Sequence, residues 1–295
     1  MRESRAIVFD LDDTLYPYRA FVRSGFAAAA AHIAEATGVP ARRVYRALCR
    51  ASAAARGREL QRVCERYGIA EATIPRLVHL MKWHTPAIRL PRETRQVLLR
   101  LQAAWRIGIL TNGEPAIQRR KLAALGLPPL VDAAVCAAEC GTGRGKPDGE
   151  AFAAVVDRLG VAPERSVFVG DDPEADVAGA VRAGLQAIHF VGHRRTARPS
   201  LAPHATIARF CEIPAAAARL IGGAQHDRRP CGSPPRIGSA PSGREARFRR
   251  VREGSRGGSR EGTSRLTLVG DGPGLSPRAC GVPPAEQALI RNGSV

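Results

Sequence analysis

Val8-Phe-Asp10-Leu-Asp12-Asp13-Thr14-Leu15 is the stretch that decides how the rest of the chain is read. Ala6 to Phe9 is an unbroken apolar run of strand length, and three carboxylates follow it within four residues. Parallel sheets place their ligand sites outside the carboxyl ends of their strands. Acids gathered at a buried strand end repel one another and lose hydration, a penalty of several kcal/mol unless a cation or proton offsets it. A divalent metal is the natural partner, against a bare surface turn with acidic caps.

Working outward, three more strand ends carry complementary chemistry. Ile109-Leu-Thr111-Asn112-Gly113 runs from a strand into a hydroxyl, an amide and a glycine before the helix marked by Pro115, where exposed N–H groups can cradle a phosphate. Gly145-Lys146-Pro147 places an ammonium just before a helix, where it can neutralise a phosphoryl oxygen. Val167-Phe-Val-Gly170-Asp171-Asp172 again ends a strand in carboxylates, with Asp176 following and Asp172 able to cap the next helix. Taken singly, the T-N-G turn reads as a turn and the lysine as a surface lysine. Together they do not.

The apolar runs 6–9, 107–110, 131–135, 167–169 and 187–191 alternate with helical stretches, which predicts βα units and a parallel sheet, an α/β fold. Helix punctuation is expected at Pro115 and Gly126, at Pro147 or Asp148 and Gly160, and at Asp172 and Gly184. Residues 17–90 interrupt the alternation and read as helical throughout. Phe21, Phe26 and Ile33, then Val44, Leu48, Leu60, Val63 and Tyr67, then Ile74, Leu77, Val78 and Met81 recur at helical spacing.

In this order the four segments resemble the haloacid dehalogenase (HAD) superfamily of aspartate-nucleophile hydrolases. Asp10-x-Asp12-x-Thr14 and Gly170-Asp171-x-x-x-x-Asp176 carry the resemblance most specifically, and it runs over about residues 5–222. It implies a Rossmann-like core from residues 1–16 and 91–222, an inserted all-helical cap of the C1 type over 17–90, bound Mg²⁺ and phosphoryl transfer. On that likeness Asp10 is the nucleophile that becomes an aspartyl-phosphate, and Asp12 is the general acid/base. The metal would be held by Asp10, the backbone carbonyl of Asp12 and Asp171, with Asp176 holding water on the metal or orienting Lys146. Thr111, Lys146 and the N–H groups of Asn112 and Gly113 would bind the phosphoryl oxygens. Asp13 and Thr14 would fix the turn that presents Asp12. Dehalogenating members need no acid/base at the position of Asp12, so the likeness implies a Mg²⁺-dependent phosphatase of a small phosphorylated metabolite. A phosphomutase, which differs chiefly in excluding water from the aspartyl-phosphate, stays open.

Composition bounds the rest. With 295 residues and 44% hydrophobic content the chain can bury a real core. Its seven cysteines form no C-x-x-C pair and suggest neither a disulfide framework nor a zinc site, which favours a reducing compartment. No apolar h-region and no 18-residue apolar stretch is present, so a cytoplasmic protein without a membrane span is expected. The net charge of +18 invites a nucleic-acid partner. Against that, the only lysines are Lys82, Lys121 and Lys146, the arginines are scattered, and aromatics for base stacking make up 5% of the chain. From Gly223 to Val295, 13 glycines, 8 prolines and 8 serines predict a disordered Arg-rich tail. A binding or scaffold protein acting through that tail is the competing reading, and a shifted reading frame would also explain its composition.

Overall fold

Strands buried on both faces read as continuous apolar runs, because neither face meets water. In a computed structural model that describes residues 4–54, 57–192 and 198–222, these runs form one six-stranded parallel sheet. Residues 223–295, the expected tail, lie outside the described residues. The strands are β1 (Ala6–Phe9), β2 (Arg106–Thr111), β3 (Ala133–Cys136), β4 (Ser166–Gly170), β5 (Gln186–Phe190) and β6 (Ala205–Ile207). Their order is β3-β2-β1-β4-β5-β6, so β1 is central and the chain winds outward from it in both directions. Phe9 lies opposite Ile109 of β2 and Val169 of β4. That register brings Asp10, Thr111 and Asp171 to one edge, on either side of the point where the strand order reverses.

Four helices fill the long interruption: α1 (Tyr18–Thr37), α2 (Ala41–Ala54), α3 (Glu59–Tyr67) and α4 (Ile74–Trp83). They enclose a core of their own, built from Phe26, Ile33, Val44, Leu48, Leu60, Val63 and Leu77. The remaining helices are α5 (Arg92–Leu101), α6 (Pro115–Ala124), α7 (Gly149–Leu159), α8 (Gly179–Arg182) and α9 (Ile213–Leu220). A π-helical turn, Pro173–Ala178, leads into α8. Alternate strand residues face opposite layers. Ile7, Phe9, Ile107, Ile109, Val167 and Val169 pack with α5, α6 and α9, whereas Ala6, Val8, Leu110 and Phe168 pack with α7 and α8.

Several boundaries differ from the sequence expectation, each for a local reason. β3 begins at Ala133 rather than Val131, because the Asp132 carboxylate accepts the Ile107 N–H at 2.8 Å, a donor that a longer β3 would have used. The strand β6 was not anticipated; three residues on the sheet edge are too few to show a period. Residues 84–90 are not helical, since α4 stops at Trp83. Val78 is 48% exposed, because Leu77 takes the buried face of that short helix. Among the described residues no helix is long and apolar enough to cross a membrane, and the five cysteines are free thiols.

The α7 layer rests on Phe152, fully buried and packed edge-on against Phe168 with ring centroids 5.1 Å apart. Phe152→Ala is expected to lower unfolding free energy by about 3–5 kcal/mol, read from the midpoint of urea denaturation followed by circular dichroism.

Candidate active site

Each loop that leaves a strand here carries one polar group inward. Asp10 follows β1 directly, its N–H donating to the Val169 carbonyl at 2.9 Å, which fixes where its side chain starts. Asp171 follows β4. Asp176 lies in the π turn and folds back over Gly170 so closely that a Cβ there would sit 2.3 Å from its Oδ2. Only glycine permits that approach. Asp172 takes the capping position, its carboxylate accepting from the Glu174 and Ala175 N–H groups at 2.9 and 2.7 Å. One oxygen each from Asp10, Asp171 and Asp176 lie within 4.8 Å of one another, and all three residues are buried.

Lys146 reaches this cluster from the loop before α7. Its Nζ lies 2.6 Å from Asp10 Oδ1 and 2.7 Å from Asp176 Oδ1, with 2% of the side chain exposed. Burial works against its ammonium, yet the carboxylates of Asp10 and Asp176 outweigh that and hold its pKa above the ordinary lysine value. Burial pushes the Asp10 carboxyl up to about 8; Lys146 opposes the rise, and the charges of Asp176 and Asp12 add to it. Three carboxylates and one ammonium leave an excess of negative charge in a buried site. Hard oxygen donors grouped in this way suit a small divalent cation such as Mg²⁺.

Asp12 departs from the cluster. Its Oδ2 accepts from Lys121 Nζ at 2.7 Å and from Gln118 Nε2 at 3.5 Å, and its Oδ1 accepts from the Tyr16 hydroxyl at 2.5 Å. Burial, and then the Asp12 charge, push the Tyr16 phenol far above its ordinary value, so it remains a donor. The Asp12 carboxylate is therefore held by α6 and the β1 loop, outside the three-carboxylate group; the metal role expected of Asp12 belongs to its backbone carbonyl, not to this side chain. Asp13 sits in the left-handed region at φ 58° and accepts from the Tyr18 N–H at 2.9 Å, holding the turn between β1 and α1. Thr14 is fully buried.

Thr111 is buried at the end of β2. Asn112 spends its amide on the backbone of Lys146: Nδ2 donates to the carbonyl at 2.9 Å and Oδ1 accepts the N–H at 2.8 Å. Its side chain thus ties two of the four segments together. Gly113 has φ 109°, and a Cβ there would lie 2.7 Å from Gln118 Nε2, which donates to the Asn112 carbonyl at 2.5 Å. His189, buried on β5, places Nε2 3.2 Å from the Asp171 carbonyl, so the loop after β4 is held from the neighbouring strand as well.

Tyr16, Gln118 and Lys121 surround the Asp12 carboxylate, and no sequence pattern marks Gln118 or Lys121 for that place. Gln118 and Lys121 lie one turn apart on the buried side of α6, a helix whose sequence carries almost no apolar periodicity to mark which side is inward. The one available signal was rarity: Lys121 is one of three lysines in a chain that otherwise uses arginine.

With this geometry in hand, likeness to known proteins has a meaning beyond pattern. The family model of the haloacid dehalogenase-like hydrolases matches residues 4–184. A glyceraldehyde 3-phosphate phosphatase of Methanothermobacter thermautotrophicus is 31% identical over 197 residues, covering 62% of this chain and 84% of its own. A phosphoserine phosphatase of Thermus thermophilus is 36% identical over 107 residues, but that match spans only 36% of this chain and 42% of its own. A solved structure of the Bacillus subtilis HAD-hydrolase YfnB bound to magnesium superposes with a TM-score of 0.52 at 21% identity, over 75% of this chain and 99% of that one, a likeness of fold. The match over most of the described chain, borne on a sheet whose central strand leads directly into Asp10, places this protein among the haloacid dehalogenase-like hydrolases.

Proposed function

We propose that the protein is a Mg²⁺-dependent phosphatase that hydrolyses a small phosphate ester through an aspartyl-phosphate on Asp10. The observation that carries this reading is the buried group of Asp10, Asp171 and Asp176 with Lys146 bridging two of them. Two of the relatives described above are phosphatases by name, which favours water over a second substrate hydroxyl as the final acceptor.

Asp10, Asp171 and the backbone carbonyl of Asp12 would hold the metal, with Asp176 beside them. When bound, a divalent cation supplies positive charge that lets an anionic nucleophile meet a dianionic ester. The chain's own groups do the rest. Lys146 occupies Oδ1 of Asp10, which leaves Oδ2 to attack phosphorus. The new bond joins Asp10 Oδ2 to phosphorus and the ester P–O bond breaks, its electron pair leaving with the alkoxide. Asp12 gives that alkoxide a proton, then takes one from the water that attacks the aspartyl-phosphate and restores Asp10. Lys146, the Thr111 hydroxyl and the N–H groups of Asn112 and Gly113 receive the charge that gathers on the phosphoryl oxygens.

Residues 17–90 would act as the cap and 1–16 with 91–222 as the core. A lid over a nearly buried nucleophile admits a small phosphorylated metabolite more readily than a folded phosphoprotein.

Purified protein is expected to hydrolyse p-nitrophenyl phosphate with Mg²⁺ present and to stop reversibly on chelation. Asp10→Asn should lower kcat by at least about a thousandfold with an unchanged circular dichroism spectrum; full activity in that variant would remove Asp10 from the mechanism. Gly170→Ala forces Asp176 away from Lys146, and a displacement of about 1 Å is expected to lower kcat about a hundredfold. Wild-type turnover by a folded Gly170→Ala protein contradicts the role given to that contact.

A further inference from the structure

The buried cation of α6 has no task in the reaction just described. Lys121 is 3% exposed, and its sole carboxylate partner among the described residues is Asp12, at 2.7 Å. Its Nζ also stands 4.4 Å from the Phe21 ring centroid and 5.0 Å from that of Tyr18, both at the root of α1. Taking an ammonium out of water costs several kcal/mol, so a lone surface pairing does not account for it. One turn earlier on the same face, Gln118 hooks the Asn112 carbonyl with the same Nε2 that approaches Asp12.

We infer that Lys121 is a positioning residue that pins the Asp12 carboxylate by its Oδ2, so that Oδ1 carries the proton to the leaving alkoxide. The inference rests on the reading of Asp12 as the general acid/base. The Lys121 charge opposes the drift of Asp12 toward the Lys146 ammonium, and the aromatic faces of Phe21 and Tyr18 hold the cation from the opposite side. Among the described residues Oδ1 accepts only from the Tyr16 hydroxyl, and an oxygen with two lone pairs keeps one open for a transferable proton. Gln118 ties that carboxylate to the phosphate-binding turn, fixing the distance between the acid and the phosphoryl group.

A misplaced acid matters most when the leaving group is a poor one. The test is therefore kcat/KM, which reports phosphorylation of the enzyme, across substituted phenyl phosphates from p-nitrophenyl to p-methoxyphenyl, with Mg²⁺. Lys121→Met is expected to lose about a hundredfold on p-methoxyphenyl phosphate and less than about fivefold on p-nitrophenyl phosphate. Asp12→Asn should give the same pattern, and the double variant should be no worse than Asp12→Asn alone. Lys121→Gln, which keeps a neutral donor of similar length, should recover part of the loss; it also serves if the Met variant does not fold.

The outcomes separate the two levels of the argument. If Asp12→Asn itself loses activity equally on every ester, Asp12 is not the acid, and the role of Lys121 falls with it. If Asp12→Asn is selective for poor leaving groups but the Lys121 variants lose equally on all of them, the positioning role alone is overturned. A double variant whose losses simply multiply also overturns it, since Lys121 would then act on substrate independently of Asp12.

Discussion

Three carboxylates and one ammonium share a buried space at the carboxyl edge of the sheet, and their charges do not balance. Asp10, Asp171 and Asp176 lie within a few ångströms of one another, and Lys146 bonds to two of them. Each ion brought out of water carries a desolvation penalty of several kcal/mol. The strain of that arrangement falls on Asp10, whose carboxyl burial pushes well above the ordinary carboxylate range, with the charges of Asp176 and Asp12 adding to the rise and Lys146 opposing it. A divalent cation is the response that, on the proposed function, leaves Asp10 anionic and able to attack. The two apolar layers on either side of the sheet supply the rigidity that keeps these charges from moving apart.

How much of this was legible in the sequence depends on the kind of signal. The strands around the site were readable because burial on both faces leaves an uninterrupted apolar run, as at Ala6–Phe9 and Ser166–Gly170. Asp10, Asp12 and Asp171 stand out because acids placed at the end of such runs have no structural need to be there, and Asp176 through its spacing from Gly170 and Asp171. The helix boundaries at Asp148 and Asp172 were readable from capping chemistry, and both side chains accept the N–H groups that a cap should take.

The rest was hidden for physical reasons. Lys121 and Asp12 are 109 residues apart and meet only because α6 packs beside the β1 loop, an encounter that no local pattern announces. The sequence points to the backbone N–H of Asn112, whereas its side chain joins two segments 34 residues apart. Val78 fitted a helical apolar period and yet faces outward, since hydrophobic spacing gives a face only to within a residue when the helix is ten residues long. The edge strand β6 offers three residues, too few for any period.

The same frame serves hydrolases of different substrates, so family membership by itself says little about which ester is cleaved. In this chain a path of contacts runs from Asp12 through Lys121 to Phe21 and Tyr18 and joins the loop after β1 to the first turn of α1. The central claim underneath is the charge imbalance among Asp10, Asp171, Asp176 and Lys146. Anomalous diffraction from crystals soaked in Mn²⁺ tests it most directly. The account predicts one strong peak within coordinating distance of Asp10 and Asp171; a crystal with no peak there, or with its peak elsewhere on the molecule, contradicts it.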